Sequence, residues 1–106
     1  MNDPAFFDAA RGLARRMIRE GGSLPETRVA RGFRLCTGRA PDAAESARLI
    51  EAYRREDEHY RARPERAKEV FRDDLQPPAE GEAPELAAWT IVANVLLNLD
   101  ETITKD

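Results

Sequence analysis

Residues 86–99 leave few folds open to this chain. Eleven of these 14 residues are apolar, and the three exceptions, Thr90, Asn94 and Asn98, recur every fourth position, a spacing that sets them on one narrow stripe of an α-helix. At about 100° per residue, Trp89, Val92, Leu96 and Leu99 lie opposite Asn94, while Ile91, Ala93, Val95 and Leu97 fill the flanks. A helix apolar over most of its circumference has to be enclosed by others. The pattern therefore predicts a helix over Pro84 to Leu99 at the centre of a compact all-α bundle of about five helices. The run is also short of the roughly 20 apolar residues that cross a bilayer, and the N-terminal residues lack the basic-then-apolar order of a secretory signal, so a soluble piece is expected.

The other segments carry the amphipathic pattern of a covering layer. Asn2-Asp3-Pro4 is a capped helix start, and Phe6, Phe7, Ala10, Leu13, Ala14, Met17 and Ile18 mark one face up to the stop at Gly21-Gly22. Gly12 lies inside this helix, where it costs about 1 kcal/mol relative to Ala, and marks either a close approach or a tolerated surface position. Ser23 and Glu26 have capping-box spacing ahead of a short second helix with Val29, Phe33 and Cys36 on one face, closed by Gly38. Asp42 and Glu45 repeat that start signal for the longest helix, with Leu49, Ile50, Tyr53 and Tyr60 on its apolar side, ending at Pro64. Pro64 opens a fourth, brief helix with Ala67, Val70, Phe71 and Leu75 as its apolar side. Residues 76–84 read as a solvated loop, and Thr102 to Asp106 as a frayed tail. The core expected from these patterns is Phe6, Leu13, Met17, Phe33, Ile50, Tyr53, Trp89, Val92 and Leu96.

Charge is distributed unevenly. Residues 11–39 hold eight Arg against Glu20 and Glu26, whereas residues 40–106 hold nine basic and 16 acidic residues, within a net charge of −3. Pairing between the two parts explains this more simply than a nucleic-acid partner, which the acidic part would repel. Arg11, Arg15 and Arg19 do form an i,i+4 ladder of the kind a nucleic-acid binder shows, but no aromatic or amide readers are interleaved with it, so that function is a minor alternative. Asp100 and Glu101 sit at the negative end of the apolar helix and call for cations, so either Arg34 or Arg39 approaches one of them or both carboxylates are fully exposed to solvent.

Little in the chain carries catalysis. Glu56 and His59 have the i,i+3 spacing of carboxylate di-metal bundles, but such sites need two of these motifs and His59 is the sole histidine. Ser23 and Ser46 are explained as cap or surface positions, Cys36 is alone, and Gly21-Gly22 lacks the strand and glycine spacing of a phosphate loop. No catalytic, metal or cofactor site is expected within these residues.

Asn2-Asp3-Pro4 with Phe6 and Ala9-Ala10-Arg11, then Arg34-Leu35 with Gly38-Arg39 and Pro41, and finally Ala87-Ala88-Trp89 with Val95-Leu96-Leu97-Asn98-Leu99-Asp100-Glu101, form a pattern that resembles the C-terminal end of the planctomycete secreted-domain family of unknown function. The similarity runs over essentially the whole chain, and Trp89 to Glu101 is its most specific part. Ala40 and Asp42 stand where the family has proline and threonine, a change of one turn and one cap. The resemblance implies that residues 1–106, a single helical domain, are the C-terminal piece of a larger exported protein, often one with a second domain of unknown function and a cytochrome c domain. With no Cys-x-x-Cys-His here, any haem would belong elsewhere in such a parent. The expected role is a structural or interaction-bearing module that contacts the parent's other domains, with Thr90, Asn94, Asn98, Arg11, Arg15 and Arg19 as its contact residues. The competing class is an accessory part of an enzyme whose active site lies mainly in the other domains.

Overall fold

Helix starts follow the local signals in three of the places where they are strongest. In the computed structural model, which describes the backbone of residues 4–104 and the side chains of residues 8–99, α1 spans Pro4–Glu20, α2 Pro25–Thr37, α3 Ala43–Ala62, α4 Pro64–Val70 and α5 Ala83–Thr104. Pro25 and Pro64 open α2 and α4, where their missing N–H is no loss and their φ is already helical. Asp42 caps α3 in a complete capping box, its carboxylate accepting from the Glu45 amide at 2.7 Å while Glu45 accepts from the Asp42 amide at 2.9 Å. Gly22 and Gly38, at φ of 78° and 81°, take the left-handed conformation that turns the chain after α1 and α2.

The Ser23–Glu26 capping box does not form. Leu24 is the N-cap of α2 and makes no side-chain cap bond, because Pro25 forces the residue before it into extended backbone and takes the first helical position itself. Counted from Leu24, Ser23 is one residue too early. Leu75 is likewise no part of an apolar face, since it is 97% exposed in the loop beyond α4. The last helix runs on to Thr104, past the expected end at Leu99 and into the expected tail, with no glycine or proline to stop it.

Helix α5 packs against all four other α-helices, most extensively α3 and α1. The first half is the more enclosed: Ala83, Pro84, Leu86, Ala87, Ala88, Trp89 and Thr90 are all buried, and Glu85 is half-buried. Beyond Thr90 one side opens: Val92, Ala93 and Leu96 stay buried, Ile91, Asn94, Leu97 and Leu99 are half-buried, and Val95 and Asn98 are exposed. The short α4, seven residues long, packs against both α3 and α5. Of the expected core, Met17, Phe33, Ile50, Tyr53, Trp89, Val92 and Leu96 are buried, and Leu13 packs half-buried against them. The side chain of Phe6 lies outside the described residues.

The close approach between helices occurs at Gly32, not at Gly12. A Cβ on Gly32 would stand 2.6 Å from the Met17 sulfur and 2.9 Å from Leu96 Cδ1, whereas one on exposed Gly12 meets nothing within 4 Å. Substitution by alanine at the two sites should therefore act in opposite directions. Gly12→Ala stabilises by up to about 1 kcal/mol through helix propensity alone. Gly32→Ala gains the same propensity but overpacks the junction of α1, α2 and α5, for a net loss of about 1–2 kcal/mol. Urea denaturation of the two variants checks this, and equal midpoints would remove the close-approach argument.

Candidate functional site

The arginines of the first two helices point to where the molecule is polar and where it is open. Along α1 the expected ladder of Arg11, Arg15 and Arg19 runs from the interior to solvent instead of presenting one basic face. Arg11 is buried, 5% exposed, and donates from its guanidinium to the Val70 carbonyl at 2.8 Å and to Asp8, with Asp74 4.0 Å from its Nε. Arg15 is partly covered and donates to Asp74 at 2.7 Å and to the Gln76 carbonyl at 2.8 Å. Burial raises the pKa of the Asp74 carboxyl, but the Arg15 hydrogen bond, the Gln76 amide and the charges of Arg15 and Arg11 outweigh it and hold the group below its ordinary range. Arg11 is thus a structural tie from α1 to the end of α4, and of the three only Arg19 stands open to solvent.

Two further arginines tie one element to another, Arg28 across a long stretch of sequence and Arg39 across a single turn. Arg28, on α2, donates to the Gly22 carbonyl at 2.7 Å and to Glu85 of α5 at 3.0 Å. Arg39 forms a two-pronged pair with Glu45, at 3.0 and 2.9 Å, and lies 4.8 Å over the Phe33 ring. The hydrogen bonds from Arg39 and from the Asp42 amide hold the Glu45 carboxyl down at about 2. Arg39 is therefore paired with Glu45 at the α2–α3 turn. Arg34 is exposed, and the side chains of Asp100 and Glu101 lie outside the described residues.

The polar stripe of α5 also divides. Thr90 is fully buried and donates to the Leu86 carbonyl at 2.7 Å, so its hydroxyl is satisfied inside its own helix and unavailable to a partner. Asn94 is half-buried, and its Oδ1 is a buried acceptor without a hydrogen-bond partner in the protein. Asn98 is exposed and donates to the Asn94 carbonyl at 3.1 Å. With Ile91 and Val95 beside them, Asn94 and Asn98 make an uncharged, partly apolar strip on the open half of α5.

The second opening is a cleft of about 350 Å³ between α1 and the segment that leads into α5. Arg15 and Arg19 line it from α1, Glu82 and Glu85 from the opposite side, and Ile18, Pro78 and Leu86 supply apolar surface between them. Arg19 lies 3.7 Å from Glu20, a carboxylate already bonded by Arg16 at 2.9 Å and Arg31 at 2.7 Å. These bonds, Arg16 first, hold Glu20 at about 2. Sequence patterning alone did not single out Asp74, Glu82 or Glu85, since acidic residues in a loop or at a helix start have ordinary local explanations.

Among the described residues no group of three or more His, Cys, Asp and Glu side chains is placed to hold a metal ion, and His59 is exposed with its ring edge-on to Tyr60. No helix of the described residues is long and apolar enough to cross a membrane. Comparison with models of protein families, with characterised proteins and with solved structures finds no match for this chain.

Proposed function

We propose that this chain is a helical interaction module of a larger exported protein of the planctomycete secreted-domain kind, and that the open half of α5 is the face it presents to the rest of that protein. The observation that carries the reading is the change along one helix: every residue from Leu86 to Thr90 is buried, and the helix is then open along Ile91, Asn94, Val95 and Asn98 with Val95 46% exposed. A chain with 35% charged residues leaves no charge on this strip, which suits a protein surface better than water. The amides of Asn94 and Asn98 supply donors and acceptors for pairing across such a contact. Neither is a nucleophile or general base without an activating group, so the strip favours docking over chemistry. Hydrogen exchange on this chain alone and within a longer protein that carries it tests the reading. Docking should slow exchange around residues 91–99, and unchanged protection there would overturn it.

A further inference from the structure

The cleft between α1 and the start of α5 separates its charges by sign. Its basic side chains, Arg15 and Arg19, both come from α1, and its acidic ones, Glu82 and Glu85, both from the opposite wall. One charge on each wall is already answered inside the molecule, Arg15 by Asp74 and Glu85 by Arg28. Of the other two, Arg19 is answered only in part and Glu82 not at all among the described residues. Arg19 shares Glu20 with Arg16 and Arg31, so three guanidinium groups draw on one carboxylate, and Glu82 has no cation within 4.0 Å among the described residues. Arg19 and Glu82 thus line the same cleft without pairing with each other, with Ile18, Pro78 and Leu86 between the walls.

We infer that this cleft is a binding site for a small aliphatic zwitterion, an amino acid or dipeptide. Its carboxylate would take the Arg19 side and the unused N–H groups of Arg15, its ammonium would take Glu82, and its aliphatic body would cover Ile18, Pro78 and Leu86. A dicarboxylate would be repelled by one wall and a diamine by the other, whereas a ligand with both charges is matched by both. The volume of about 350 Å³ lies at the small end of ligand pockets, which suits a body of this size. Base recognition by nucleic acid has no place here, since no aromatic side chain lines the cleft. This inference rests on α1 and the segment before α5, and is independent of the open half of α5.

Titration of the whole chain with L-leucine and with leucyl-leucine, followed by amide chemical shifts, tests it. At least one of the two should give saturable shifts confined to residues 15–19 and 76–86, with half-saturation on the order of 1–10 mM for so small a ligand. N-acetyl-leucine and leucinamide, each lacking one charge, should bind about 10-fold more weakly, and so should Arg19→Ala and Glu82→Ala with the better ligand. Both side chains are exposed, so an unchanged melting temperature confirms that the variants are folded. Absence of saturable shifts with either ligand would overturn the inference. So would equal binding of the singly charged analogues, or full binding by either variant.

Discussion

Trp89→Ala should destabilise this protein by about 3–5 kcal/mol, the range for removing a fully buried aromatic side chain and leaving its cavity. Trp89 is the largest of the fully buried side chains, and its ring stacks on Tyr53 of α3 with centroids 4.0 Å apart and planes 15° from parallel. Arg28 of α2 lies 6.0 Å from the same ring. The indole therefore joins α2, α3 and α5. A domain of this size has roughly 5–15 kcal/mol of total stability, so the variant should be largely unfolded at moderate temperature. Trp89→Phe separates packing from hydrogen bonding. The indole N–H has no hydrogen-bond partner in the protein, so phenylalanine removes an unsatisfied donor while keeping most of the stack, and should cost less than about 2 kcal/mol. Far-ultraviolet circular dichroism during urea denaturation reads both. A near-wild-type midpoint for Trp89→Ala would contradict the central role of α5.

Arg11→Met should cost about 2–3 kcal/mol, although the methionine is apolar and occupies a buried position. The Arg11 side chain is 6% exposed, and its guanidinium holds the Val70 carbonyl at the end of α4 while it faces Asp8 and Asp74. Removing the cation leaves a buried carbonyl without this donor and takes one compensating charge from Asp74, penalties that the gain in apolar burial does not offset. The loss stays below that of a fully buried ion pair for two reasons: Asp8 is 66% exposed and can be hydrated, and Arg15 remains on Asp74 at 2.7 Å. Arg11→Lys should recover only part of the stability, since an ammonium cannot reproduce the planar guanidinium fork. In thermal melts the methionine variant should fall by roughly 10–20 °C. A fall of only a few degrees would mean that α4 is held in place by its apolar side alone, through Ala67, Val70 and Phe71.

What the sequence determined by itself lay within a few residues of each decision. Pro64 opens α4, the carboxylates of Asp42 and Glu45 close a capping box, and Gly22 and Gly38 supply positive φ, because each of these effects acts through backbone groups at most four positions away. The period of the apolar residues likewise fixed the helical class and the central place of residues 86–99, since burial follows from how much of a helix's circumference is apolar. Even local rules conflicted at Ser23, where the constraint that Pro25 imposes on the residue before it displaced the cap. The uneven charge of the two parts announced that pairing would occur, but the partners were decided by tertiary structure. Arg15 reaches Asp74, 59 positions away, and Arg28 reaches Glu85, 57 away, because the fold lays α1 and α2 beside the segment that leads into α5. The same holds for Gly32, which is ordinary in sequence and crowded in space by Met17 and Leu96 from two other helices. It holds for α5 too: residues 86–99 are apolar nearly throughout, and only the packing of the other helices decides that residues 86–90 are buried while one side is open beyond Thr90.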